Sequence, residues 1–266
     1  MVKKLIKHEF IYYIRTLGIF LPIVLVFGLM TRIFSLFGDD NIIIQIISVS
    51  STALLILACM VLLSLATIIA VIRFYKNLYS SEGYLTFTLP ITNAQHIFVK
   101  ILVATVCDSI CLLTVFAALS IAFLNKEFFE LFPVIRELFP EIRTADIVEF
   151  TIEGLFLALC ATISTTLLYY TCITIGQTAK KNRILLAVGV YFIYYVATQI
   201  ISTVISIVIT VLGMTNALNG VFEWMELNII PTIHIFLCFA AVISLAFSAL
   251  CWHVTQRIMT KKLNLE

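Results

Sequence analysis

Residues 42–72 read IIIQIISVSSTALLILACMVLLSLATIIAVI, thirty-one residues without one charged side chain. As a helix this run would be about 46 Å long, against a hydrocarbon core of about 30 Å. A buried helix of a soluble domain has no use for such a length. The stretch therefore predicts a transmembrane helix that tilts or extends beyond the lipid. Five further apolar segments repeat the pattern, at about 17–37, 98–124, 150–176, 184–212 and 229–254. The expected fold is all-α, a polytopic membrane protein with six transmembrane helices over residues 17–266.

Composition supports that reading. The 266 residues are 62% hydrophobic and 12% charged, whereas soluble domains hold about 45–50% apolar and about 25% charged residues. The mean hydropathy is +1.10. Too few polar residues remain to cover a water-soluble surface, and disorder is excluded by the same numbers. A net charge of +2 argues against nucleic acid as a partner.

The first residues, MVKKLIKHEFIYYIR, are too basic to span. On a helical wheel Val2, Ile6, Phe10, Tyr13 and Leu17 share one face, and Lys4, Lys7, His8 and Arg15 the other. Residues 1–16 are read as an amphipathic interfacial helix with its basic face towards lipid headgroups. A signal peptide is the rival, disfavoured by the long apolar stretch that follows and by the lack of a clean cleavage site. With both termini placed in the cytoplasm, 13 of 17 Lys and Arg side chains fall on the inner face, as the positive-inside rule requires. The inner face then holds only three acids, Glu9, Glu82 and Glu266.

The seven cysteines all lie in apolar stretches, where thiols behave as small hydrophobes, so structural disulfides are not expected. Cys107 and Cys111 would share a helix face, but packing outweighs a metal pair there. His8, His96, His234 and His253 are far apart in sequence, and no shared metal site is expected. The chain has neither a G-x-x-x-x-G-K-[ST] run nor H-E-x-x-H. No cofactor, ATP site or catalytic chemistry of its own is therefore expected.

The loops differ in kind. The outer loop 125–149 is long and acidic, with helix-like spacing of Phe128, Phe129, Phe132, Ile135, Leu138 and Phe139 broken by Pro133 and Pro140. The region 213–231 carries Gly213, Gly220 and Pro231, which admit a re-entrant hairpin, and Trp224, which suits an interfacial anchor.

The inner loop 73–97 reads RFYKNLYSSEGYLTFTLPITNAQHI. Residues 73–82 continue the preceding helix, and Gly83 is placed to stop it. Leu85, Phe87 and Leu89 alternate with polar or half-polar residues as an extended piece. Pro90 breaks the path, and Thr92 with Gln95 forms a capping-box pattern for the next span. A solvated connector needs no such density of Tyr and Phe. The loop packs either on headgroups and the N-terminal helix, or on a cytoplasmic partner.

The run Leu78-Tyr-Ser-Ser-Glu-Gly-Tyr-Leu-Thr-Phe-Thr-Leu-Pro90, followed by polar residues and Lys100, resembles a segment of permease subunits of ABC-2-type transporters from Gram-positive bacteria. The six-span layout with an N-terminal interfacial helix is similar over nearly the whole chain. The longer acidic loop 125–149 departs from many members. The resemblance implies an export subunit of the cell membrane that pairs with a second permease subunit. Its ATP and Mg would sit on a separate ATP-binding ABC subunit. It also implies that 73–97 is a coupling loop. Asn77, Leu78, Tyr79, Glu82, Gly83, Tyr84, Leu85, Phe87 and Pro90 would carry the contact, with Glu82 pairing to a base and the aromatics filling an apolar pocket. The alternative is a non-transporting membrane scaffold or immunity protein that binds a partner through the same loop.

Mid-span polar residues are the remaining signal. Asp108 is the one acid well inside a span, and a charge there is expensive. It lines a path, or it is protonated or bonded within the bundle. Thr162, Ser164, Thr165, Thr166, Thr171 and Thr174 in the fourth span more often join helices than line a path. Gln199 and Ser202 are the polar positions of the fifth span to inspect first. Asp108, Thr165, Gln199 and Ser202 are thus the candidates for a translocation path.

Overall fold

The structure, a computed structural model, describes residues 2–37, 42–80, 83, 92–123, 143–179, 181–215 and 218–261. The described residues form eight helices: α1 (Val2–Leu17), α2 (Phe20–Ser35), α3 (Ile42–Tyr79), α4 (Asn93–Phe123), α5 (Thr144–Gly176), α6 (Arg183–Met214), α7 (Asn219–Leu227) and α8 (Ile229–Lys261). Six helical stretches of 31 to 38 residues are long and apolar enough to cross a membrane, the first made of α1 and α2 together. The protein is all-α with six candidate spans. The chain divides into two compact units, Met1–Glu141 and Ile142–Glu266.

In the first unit α2 packs on α3 and α4, and α1 packs on α4 and α3. The buried positions of α3 are Ser51, Leu55, Cys59, Leu62, Ala66, Ile69, Ala70, Phe74, Asn77 and Leu78. Steps of three and four residues put them on one stripe of the helix. Small residues dominate the facing stripe of α4, with Ala104, Cys107, Cys111, Ala118 and Ala122 all buried. Lipid supplies no hydrophobic drive between helices, so close packing of small side chains holds them together. Gly28 of α2 is one such close approach. A Cβ there would lie 2.7 Å from the Ala118 carbonyl oxygen.

The second unit is organised by α5 and α8, which run parallel, with α6 packed on α5. Bonded pairs recur at a near-constant offset along them. Glu153 meets His234, Ser164 meets Ser244 and Ser248, and Thr171 meets Thr255. From Glu153 to Thr171 the pairs cover about 27 Å of helix, close to a hydrocarbon thickness.

Local sequence explains the helix ends. Thr92 and Gln95 do form the reciprocal capping bonds at the start of α4. α3 continues past residue 72 and stops at Tyr79. α5 starts at Thr144, earlier than the apolar pattern suggests, because the Asp146 carboxylate accepts the Arg143 amide at 2.7 Å and caps the first turn. The last residues of the expected loop 125–149 are therefore helical, and 124–142 lie outside the described residues. The region 213–231 contains the end of α6, the short helix α7 and the start of α8, where Pro231 occupies the first turn.

Candidate functional site

The loop between α3 and α4 leaves from two buried stems. On α3, Phe74, Asn77 and Leu78 are buried, and the Phe74 and Tyr79 rings meet edge to face at 5.9 Å. On α4, His96, Ile97, Val99 and Lys100 are buried within the first turns. Gly83 is buried as well, and its amide donates to the Ser80 carbonyl at 2.8 Å. A Cβ at Gly83 would lie 2.6 Å from the Leu78 carbonyl oxygen. The backbone approaches too closely there for a side chain.

One side chain of α1 reaches both stems. Glu9 is 3% exposed. Its Oε2 accepts a hydrogen bond from Arg73 Nε at 2.9 Å. Its Oε1 accepts from Asn77 Nδ2 at 2.7 Å and from Lys100 Nζ at 3.0 Å. Arg73 and Asn77 lie one turn apart near the end of α3, and Lys100 lies two turns into α4. The Arg73 guanidinium also stacks over the Tyr12 ring, 4.2 Å from its centroid, a cation–π contact that fixes the planar group.

The expected apolar face of α1 does turn inward. Tyr13 and Leu17 are core residues, and Val2, Ile6 and Phe10 pack against them. Glu9 lies four residues before Tyr13 on the same stripe. An acid on an apolar stripe is the sequence signal for this cluster. That signal names no partners, because they are 64, 68 and 91 residues away.

Of the residues expected to carry a coupling contact, Asn77 and Leu78 belong to the buried stem, Tyr79 closes α3, and Gly83 makes the tight approach. Glu82, Tyr84, Leu85, Phe87 and Pro90 lie outside the described residues.

The four path candidates are placed differently from one another. Asp108 is buried on α4. Lys100, two turns before it, is directed to Glu9. In the second unit Thr165, Gln199 and Ser202 are exposed. The Thr165 hydroxyl donates back to Ala161 and Thr162, and Ser202 donates back to Gln199 of its own helix.

Ser164 and Thr171 are among the residues that join helices in this unit. The Ser164 hydroxyl lies 2.6 Å from that of Ser244 and 2.7 Å from that of Ser248. Thr171 donates to its own helix and to the Cys251 carbonyl, and lies 2.9 Å from the Thr255 hydroxyl. Towards the start of α5 and α8, His234 Nδ1 is 2.8 Å from Glu153 and its ring stacks on Phe150.

All seven cysteines are free, six of them buried and Cys238 exposed. Among the described residues no group of three His, Cys, Asp or Glu side chains converges as a metal site would need. No protein-family profile, no curated protein and no solved structure matches the chain.

Proposed function

We propose that this chain is the transmembrane subunit of an ATP-driven exporter of the ABC-2 type, working as a dimer in the cell membrane with a separate ATP-binding subunit. The observation that carries the reading is the aromatic inner loop, LYSSEGYLTFTLP, set between two stems that a buried carboxylate ties to the N-terminal helix. A loop held in this way can pass a push from a docked partner to the first three spans. The distribution of basic residues supports both termini inside, which puts the loop on the ATP side. The chain has no phosphate-binding G-x-x-x-x-G-K-[ST] run, so the ATP chemistry belongs to the partner. It is a coupling and conducting subunit and performs no covalent step itself.

The test is purification of the native chain from its own membranes with identification of what accompanies it. An ATP-binding subunit whose hydrolysis rises in the complex is the expected result. A stable complex with no stimulation would instead favour the scaffold reading and end the exporter one.

A further inference from the structure

The Glu9 cluster asks for a role of its own. Stability alone does not account for it. Replacing a buried ion pair by apolar side chains of like volume is often neutral or stabilising. Glu9 and Lys100 are 3% and 5% exposed, so both charges are almost fully removed from water. The cluster is also incompletely satisfied. Asn77 Oδ1 is buried without a hydrogen-bond partner. Its orientation is fixed by the network, because the opposite amide flip would set an oxygen against Glu9 Oε1. A device kept for stability would not retain an orphaned acceptor beside two buried charges.

The geometry answers better as a positioning device. A carboxylate offers about four lone-pair sites, and Glu9 spends them on two helices at once. Oε2 and one contact of Oε1 hold α3, and the other contact of Oε1 holds α4. All three donors lie on the stems that flank the loop. We infer that Glu9 is a positioning residue that clamps the end of α3 to the start of α4, so that the N-terminal helix sets the separation of the two stems. The inference deepens the exporter reading and rests on it for the purpose of the clamp, though not for its existence.

Two variants separate a clamp from a plain structural contact. Glu9→Met combined with Lys100→Met removes the buried pair and leaves only Arg73, 23% exposed, without its carboxylate. Arg73→Gln removes one arm at a position 23% exposed and leaves Lys100 opposite Glu9. Spin labels at the exposed positions Lys76 and Phe98 report the stem separation in the isolated full chain, in lipid nanodiscs, with exposed Cys238 replaced by Ala. The unaltered cluster should give one narrow distance. Both variants should fold with unfolding midpoints close to that of the unaltered chain yet lose the single narrow peak. A narrow peak in both folded variants would overturn the clamp. Loss of folding in both would make the cluster a stability element and overturn it equally. The distances need no partner. Failure of an ATPase to accompany the native chain would thus remove the exporter reading and leave the clamp standing, while unchanged distances with an ATPase bound would do the reverse.

Discussion

The hydroxyls of Thr171 and Thr255 lie 2.9 Å apart, both buried, across the parallel helices α5 and α8. Seven residues earlier on each helix Ser164 and Ser248 repeat the contact at 2.7 Å. Hydrogen bonds between spans average about 0.6 kcal/mol and reach about 1.7 kcal/mol. Thr171→Val and Thr255→Val should therefore each destabilise the second unit modestly. A double-mutant cycle on unfolding in mild detergent should return a coupling of about 0.6 kcal/mol or more. Additive losses would mean the two hydroxyls do not sense each other.

Glu9→Gln should be far more costly. It leaves Lys100 buried opposite a neutral amide, and removing one partner of a buried pair costs about 3–5 kcal/mol. Glu9→Met with Lys100→Met should recover most of that loss. Equilibrium unfolding of the three proteins checks the order, and a double variant worse than Glu9→Gln would contradict it.

Gly28 and Gly189 make a matched pair of tests. Gly28→Ala drives a methyl group against the Ala118 carbonyl of α4 and should cost about 1–3 kcal/mol. A Cβ at Gly189, within α6, meets nothing within 4 Å. Gly189→Ala should gain about 0.5–1 kcal/mol from the helix propensity alone. Thermal unfolding midpoints should move in opposite directions.

On the exporter reading, Gly83→Val should abolish association with an ATP-binding subunit while leaving membrane insertion intact, because its Cβ would collide with the Leu78 carbonyl at the start of the loop. Glu82→Arg should do the same by reversing a charge. Normal co-purification of both variants would sink the coupling-loop assignment.

Single cysteines at Lys4 and Lys181, in a Cys238→Ala background, should react with a membrane-impermeant thiol reagent only in inside-out vesicles. Cysteines at Glu149 and Glu223 should react only in right-side-out ones. The reverse pattern would place the loop away from ATP and remove the exporter reading.

The sequence discloses the spans because each is a local property. An uncharged run such as 42–72 has no alternative fate. The Thr92–Gln95 cap was equally legible, since both partners lie within one turn. The Glu9 cluster was not, because nothing local links residue 9 to residues 73, 77 and 100. The hydroxyls of α5 fall between these cases. Six Ser and Thr residues look alike along that span, yet Ser164 and Thr171 are bonded to α8. Their seven-residue spacing, repeated by Ser248 and Thr255, was the discriminating sign. Thr165 and Ser202, expected as path candidates, return their hydroxyls to their own helices, where the nearest carbonyl is three or four residues back.

The Glu9 cluster also constrains the order in which the chain can assemble. α1 is made before α3 and α4, so its carboxylate has neither Arg73 nor Lys100 to pair with until those helices follow. Until the third span enters the bilayer, residue 9 stays where water or headgroups can solvate it. Burial of this carboxylate therefore waits on helices that follow α1 in the chain.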